Sequence, residues 1–192
     1  MLIFETQNQV SMDTTKWTTK IDSITNDFKK TFGQLTHEQL NWKPNEQTWS
    51  IGQNIDHLIV INGTYQPVIE AVKKGGYKLP LMGKMSFMVN FLGKMVLNAV
   101  QPDRKKKMKT FPIWEPTKSK VTSDVLTRFD LHQAELKQMI IGCADLLDRG
   151  SIISSPANKN IVYKLETAFD IITTHEERHF EQAKEVLALL PK

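Results

Sequence analysis

Residues 171–182 read IITTHEERHFEQ, and this stretch places His175 and His179 four positions apart. On a helix, side chains four positions apart lie on one face, one turn from each other, so both imidazoles can reach a common point. Steps of seven residues put His179 in the same column as Ile172. The same count puts His175 in the column of Ala168. Both histidines therefore fall on the stripe that a helix buries, at the spacing of paired metal ligands.

The same stretch matches the pattern His-Glu-x-x-His, in which two histidines hold zinc and the glutamate is the general base of a peptidase. Such peptidases draw a further ligand from downstream, but only thirteen residues follow His179 and none is a histidine. Glu176 lies about 100° around the helix from His175, which favours an exposed side chain over a catalytic base. Any third ligand has to come from an earlier part of the chain.

Apolar residues that recur in alternating steps of four and three predict the helices. Two capping boxes, Thr-x-x-Gln at Thr36 and Ser-x-x-Gln at Ser50, mark a short helical turn and the start of the second long helix. Pro67 predicts a bend in that helix, because its ring clashes with the carbonyl one turn earlier. The four long helices are predicted at about 14–32, 51–74, 125–147 and 161–190.

Two further segments separate the second long helix from the third. Residues 79–100 are apolar and rich in methionine, which predicts an inserted helix packed on the bundle. Residues 101–121 hold three prolines around a basic run at 104–109 and predict a long loop. No segment shows a sustained alternation of apolar and polar residues, so no strand is predicted. We therefore expect an all-α fold: a four-helix bundle with a helical insertion and a long crossover between helices two and three.

The length of 192 residues suits one domain with a substantial core. We expect a single domain over 1–192, with a lead-in at 1–13 and the bundle at about 14–190. The lone cysteine, Cys143, excludes an internal disulfide and fits a reducing compartment. The first residues carry no signal-peptide pattern, so the sequence favours a cytoplasmic location.

Charge and hydropathy indicate no nucleic-acid partner and no membrane partner. The net charge of +4 is mild, and the basic run at 104–109 lacks interleaved aromatic residues. A solvated loop is therefore favoured over contact with nucleic acid or an acidic membrane. Lys84, Asn90 and Lys94 interrupt the apolar segment too often for a membrane span. Apolar surface on the helices is compatible with a homodimer.

Two motifs in this chain resemble the DinB-like superfamily of YfiT-type metalloenzymes. Residues 41–58, with NWKP, TWSIGQ and His57-Leu58, are similar to its second-helix signature, and residues 175–182, HxxRHxxQ, to its fourth-helix signature. The resemblance covers about 16–190. It implies a divalent metal, zinc or nickel, held by His57, His175 and His179. Characterised relatives are thiol-dependent S-transferases, among them bacillithiol and mycothiol users, and a maleylpyruvate isomerase.

Three neutral imidazoles leave coordination positions open, as in catalytic rather than structural zinc sites. Such a site activates either water or a thiol, so we expect a hydrolase or a thiol S-transferase that acts on a small electrophilic molecule with a low-molecular-weight thiol as partner. The second ring nitrogen of each ligand needs an acceptor, for which Gln182 and Asn54 are the candidates. The alternative is a non-catalytic bundle that binds a metal or a protein partner.

Overall fold

The computed structural model of the protein describes residues 13–103, 114–116 and 120–191. Apart from Asp13, the predicted lead-in lies outside the described residues, and so does the basic run at 104–109. In chain order the helices are α1 (Thr15–Phe32), α2 (His37–Asn41), α3 (Ile51–Gly63), α4 (Tyr65–Lys73), α5 (Ser86–Ala99), α6 (Val125–Ile141), α7 (Ala144–Asp148) and α8 (Leu165–Ala188).

Four of these helices, α1, α3, α6 and α8, form a bundle in which α1 and α3 each pack against both α6 and α8. Each helix contributes an apolar stripe to the core, as the steps of four and three predict. Phe28 of α1, for example, packs against Phe129 of α6 and Phe180 of α8, with ring centroids 4.8 and 5.1 Å away. The predicted four-helix bundle is thus confirmed.

Both capping boxes are present and fix where α2 and α3 begin. The side chain of Thr36 accepts a hydrogen bond from the Gln39 backbone, and the Gln39 side chain accepts one from the Thr36 backbone. Ser50 and Gln53 make the same reciprocal pair at the start of α3. These bonds satisfy backbone donors that have no partner within the first helical turn, so they hold α3 in the register that carries His57.

The second predicted helix is divided into α3 and α4 at Thr64. The break lies where Pro67 requires it, because the proline ring clashes with the carbonyl of Gly63, four residues earlier. The third predicted helix is also divided, into α6 and the short α7, with Gly142 and Cys143 between them. The bundle therefore uses shorter helices than the apolar periodicity indicates.

A two-stranded antiparallel hairpin, β1 (Ile152–Ser155) and β2 (Asn158–Lys164), precedes α8. The expectation of a chain without strands is therefore wrong, and α8 begins at Leu165 rather than near residue 161. Alternation fails to reveal β2 because Val162 and Tyr163 are both buried, and α5 packs against this strand. β1 is too short, at four residues, to show a period.

The inserted helix is confirmed as α5, which follows a 3₁₀ turn at Leu81–Lys84. It packs against β2 and α8, and Gly93 allows the close approach. A Cβ atom at Gly93 would lie 3.1 Å from both Thr167 Cγ2 and Tyr163 Cβ. Within the described ranges, no helix combines the length and hydrophobicity needed to cross a lipid bilayer.

Candidate metal centre

Three histidines meet between α3 and α8. His57 lies on α3, and His175 and His179 lie one turn apart on α8. One ring nitrogen from each lies within 4.8 Å of the others. His57 and His179 are buried and His175 is half-buried. The convergence predicted from the spacing and the resemblance is therefore present in the fold.

The ring of His57 is oriented by the chain beyond the insertion. Its Nδ1 lies 2.5 Å from the backbone carbonyl oxygen of Trp114. A carbonyl oxygen only accepts, so Nδ1 carries the proton and donates it. Nε2 then keeps its lone pair, which is the form of imidazole that binds a metal.

The ring of His179 is oriented in the same way by Asn54 of α3. His179 Nδ1 lies 2.8 Å from Asn54 Oδ1, while the Asn54 amide nitrogen donates to the backbone carbonyl of Ser50. Because the amide nitrogen is engaged there, the oxygen of Asn54 faces the ring and His179 Nδ1 is the donor. Nε2 of His179 therefore also keeps a free lone pair.

The donor set fits a divalent cation such as zinc. Nε2 of His179 lies 3.0 Å from Nε2 of His175. Two nitrogens bound to one tetrahedral zinc at about 2.0–2.1 Å lie roughly 3.3 Å apart, close to this spacing. Three imidazoles from two helices thus supply nitrogen ligands, and two of them already have their second nitrogen held by an acceptor.

Burial keeps the three rings neutral. Loss of solvent lowers the pKa of His57 to about 4, although the Trp114 carbonyl opposes the shift. Burial lowers the pKa of His175 and of His179 well below the ordinary value, and the neighbouring histidines and Arg178 lower each further because they disfavour an added positive charge. A neutral imidazole is the ligand form, so the cluster is ready to bind a cation at neutral pH without first losing protons.

Glu176 is fully buried, so the expectation of an exposed side chain is wrong. Its two carboxylate oxygens accept hydrogen bonds from the side-chain amides of Asn62, at 2.7 Å, and Gln133, at 3.0 Å. Burial raises the pKa of Glu176 to about 8 despite these bonds. The glutamate of the His-Glu-x-x-His pattern therefore serves the contact of α8 with α3 and α6.

The histidines line a cavity of about 1260 Å³. On α8 its lining runs from Ile171 to Val186, a length of roughly 22 Å at 1.5 Å per residue. The lining is mainly apolar near Ile171, where the hydroxyls of Tyr65 and Tyr163 lie 3.1 Å apart. Polar side chains such as Gln182 line the other end. The cavity therefore offers an apolar part and a polar part on either side of the histidines.

Two residues of the site carry roles that the sequence patterns leave unassigned. The ring of Trp49 stacks on His179 at 5.8 Å and lies 4.9 Å from His57. Arg178 donates to the backbone carbonyls of Ala99 and Gln101 and so ties α8 to the end of α5 above the cavity. Both residues stand inside the quoted motifs, which is the only sequence signal for them.

The other candidate residues lie as follows. Asn54 contacts His179 across the bundle. Gln182 lines the cavity, and its role toward a ring nitrogen stays a prediction. His132 of α6 is half-buried and stands apart from the cluster. Cys143 is fully buried, and burial raises the pKa of its thiol, as for a small hydrophobic core residue.

A family model described as the DinB superfamily matches residues 20–183, which contain the whole histidine cluster. No match was found among curated proteins or among solved structures. The match covers most of the chain and agrees with the helical bundle and with the three histidines that meet between α3 and α8. The chain therefore belongs to the DinB superfamily.

Proposed function

We propose that this protein is a divalent-metal-dependent enzyme that adds a thiol or water to a small electrophilic molecule. The observation that carries the proposal is the set of three neutral imidazoles, two buried and one half-buried, that opens on a large cavity. A structural zinc site is normally closed by four protein ligands, whereas three histidine ligands leave a position for a reactant. Zinc or nickel would suit the nitrogen ligands.

His57, His175 and His179 would hold the ion. When bound, a divalent ion supplies Lewis acidity and lowers the pKa of a thiol or of water toward neutrality. The remaining work falls to this chain's own residues. The Trp114 carbonyl and Asn54 keep His57 and His179 in the tautomer that presents Nε2. The ring of Trp49 shields two of the imidazoles from water.

The cavity has an apolar part and a polar part, which suits the binding of two reactants better than one. Its apolar part, near Ile171 and Tyr65, suits the hydrophobic body of an electrophile, with the tyrosine hydroxyls available to a polar group. Its polar part holds charged side chains of both signs, including Lys43 and Glu185, which suit a low-molecular-weight thiol that itself carries both charges. A thiol S-transferase is therefore the first candidate and a hydrolase the second.

The test is turnover by protein purified without a histidine tag. The purified protein is loaded with zinc or nickel and assayed with a panel of low-molecular-weight thiols and an aryl halide, and separately with simple esters. We expect conjugation or hydrolysis that is lost in His57→Ala and unchanged in His132→Ala. Equal turnover by the wild type and His57→Ala would contradict the proposal.

A non-catalytic metal-binding bundle is the alternative, because the three histidines join α3 to α8 and an ion between them would cross-link the helices. That function predicts that zinc raises the melting temperature while no thiol or ester is turned over. The peptidase reading is disfavoured, because Glu176 is engaged by Asn62 and Gln133.

A further inference from the structure

Helix α5 is apolar on two opposite sides. Val89 and Gly93 lie on the side that packs against the rest of the protein and are buried. Phe87 and Phe91 lie one turn apart on the other side, and each is 63% exposed. The outer side of a surface helix normally carries polar side chains, so the exposed phenylalanines of α5 lack the cover that apolar side chains normally have.

The exposed apolar residues continue into the 3₁₀ turn before α5. Leu81 in that turn is 75% exposed. We call the surface formed by these side chains the α5 face; its residues are Leu81, Met82, Met85, Phe87, Phe91 and Met95. Single exposed apolar residues are ordinary, but a group of six on one turn and one helix marks an interaction site.

The segment that carries the α5 face is positively charged. Residues 71–102 contain five lysines and no aspartate or glutamate. Lys84 and Lys94 are exposed, and Lys94 lies about 20° around the helix from Phe87. The basic run at 104–109 lies outside the described residues, so the α5 face is defined without it.

The combination of exposed apolar side chains and lysines distinguishes between two partners for the α5 face, a second copy of the chain and an anionic lipid surface. In a symmetric dimer formed through the α5 face, both copies would bring lysines and neither would bring an acidic residue from 71–102, so like charges would meet. An anionic lipid surface can bind both the exposed apolar side chains and the lysines. Phenylalanine and leucine enter the boundary between headgroups and acyl chains, and lysines contact the lipid phosphates.

We propose that the α5 face docks on an anionic lipid surface. The expectation of no membrane partner rested on the missing membrane span and on the interpretation of the basic run as a solvated loop, and docking through the α5 face needs neither a span nor that run. Met95 belongs to the α5 face and also lines the histidine cavity, so docking would hold the cavity beside the lipid. The docking itself does not depend on the metal or on the proposed reaction.

The experiment is flotation of the purified full chain with vesicles of phosphatidylcholine alone or mixed in equal parts with phosphatidylglycerol. We expect binding to the mixed vesicles only, weakened by salt. Phe87→Ser combined with Phe91→Ser should lower binding at least tenfold, because both rings leave the interface. Lys84→Glu combined with Lys94→Glu should lower it at least tenfold as well, since each lysine near an anionic surface contributes roughly a factor of five.

Matched controls change the same residue types elsewhere. Leu131→Ser removes a side chain that is also 63% exposed, but on α6. Lys159→Glu reverses an exposed charge on β2. Neither should change vesicle binding, and all variants should keep the wild-type melting temperature, because the altered side chains are exposed.

Three results would overturn the proposal. The first is no binding to mixed vesicles. The second is binding that the phenylalanine and lysine variants leave unchanged, which would assign it to another part of the chain such as the basic run. The third is a concentration-dependent dimer in sedimentation equilibrium that Phe87→Ser with Phe91→Ser dissociates, without vesicle binding, which would make a second copy the occupant.

Discussion

Asn54 Oδ1 accepts a hydrogen bond from His179 Nδ1 at 2.8 Å, so a residue of α3 fixes the tautomer of a histidine on α8. The two residues are 125 positions apart in the chain. The contact prepares Nε2 of His179 as a ligand before any ion arrives. Residues that orient a metal ligand in this way commonly contribute one or two orders of magnitude to metal affinity.

We predict that Asn54→Ala lowers zinc affinity by about 10–100-fold, because the His179 ring loses its acceptor. Competition with a chromophoric chelator measures the affinity. Asn54→Asp keeps an oxygen at the same place and should restore most of the loss. If Asn54→Ala binds zinc as tightly as the wild type, the hydrogen bond has no part in the metal site.

Removal of one imidazole should abolish stoichiometric metal binding. We expect His179→Ala to lose bound zinc and nickel after dialysis, because only two nitrogen ligands remain. Elemental analysis of untagged protein measures the metal content per chain. His132→Ala is the matched control, since this histidine of α6 stands apart from the cluster and its loss should leave metal content unchanged. Undiminished metal in His179→Ala would refute the assignment.

Glu176→Gln should stabilise the metal-free protein, and more so at higher pH. The pKa of the folded carboxyl is about 8, against an ordinary value of 4.5, so folding takes up a proton between these values. The histidines add the same pH dependence to wild type and variant, but the contribution of Glu176 to the free energy of unfolding falls as pH rises from about 4.5 to about 8. The variant has no such slope, and its advantage should grow by about 1 kcal/mol per pH unit over that range.

Urea denaturation at several pH values, in chelator, measures this difference. The amide that replaces the Glu176 carboxyl can donate a hydrogen bond to Gln133 Oε1, which accepts none among the described residues. The Gln133 side-chain amide has to rotate to bring this oxygen into place. A difference between wild type and variant that stays constant with pH would show that Glu176 is ionised in the folded protein.

Gly93→Val should loosen the insertion. Its Cβ would lie 3.1 Å from Thr167 Cγ2 and from Tyr163 Cβ, and the further methyl groups cannot be placed without moving α5. We expect a loss of about 1–3 kcal/mol of unfolding free energy, the usual cost of overpacking. Thermal or urea unfolding measures it.

Gly63→Val is the matched control for that substitution. Gly63 also lies on a helix, and an added Cβ there meets no atom within 4 Å. Intrinsic helix preference differs between glycine and valine by less than about 1 kcal/mol, so a larger difference between the two variants reports packing. Equal effects at the two sites would mean that α5 is not held closely at Gly93.

Much of the fold and of the site could be read from local patterns. The apolar stripes and the boxes at Thr36 and Ser50 depend on neighbours in the chain, and the break before Pro67 follows from the geometry of one ring. The hairpin at 152–164 could not be read in this way. Its buried consecutive residues are covered by α5, which lies more than fifty positions earlier, and no local period records that cover.

Glu176 shows the same limit within the site. Its angle from His175 is a property of the helix, but whether that direction points to solvent or to the core depends on which helices stand beside α8. Asn62 of α3 and Gln133 of α6 stand there, so the carboxyl is buried. The acceptors for the histidines depend on the tertiary fold as well. The sequence named Asn54 as a candidate acceptor, but only the fold pairs it with His179 and brings Trp114 to His57.

The sequence by itself determined the helices, their caps and the pair of imidazoles one turn apart, because each of these is set by residues within about seven positions of one another. The resemblance implied that His57 joins that pair, but only the tertiary structure decided how the three rings meet, that Trp114 and Asn54 set the ring tautomers, and that the α5 face is left uncovered. Those properties depend on which surfaces come together in space, and contacts between distant segments leave no period in the chain.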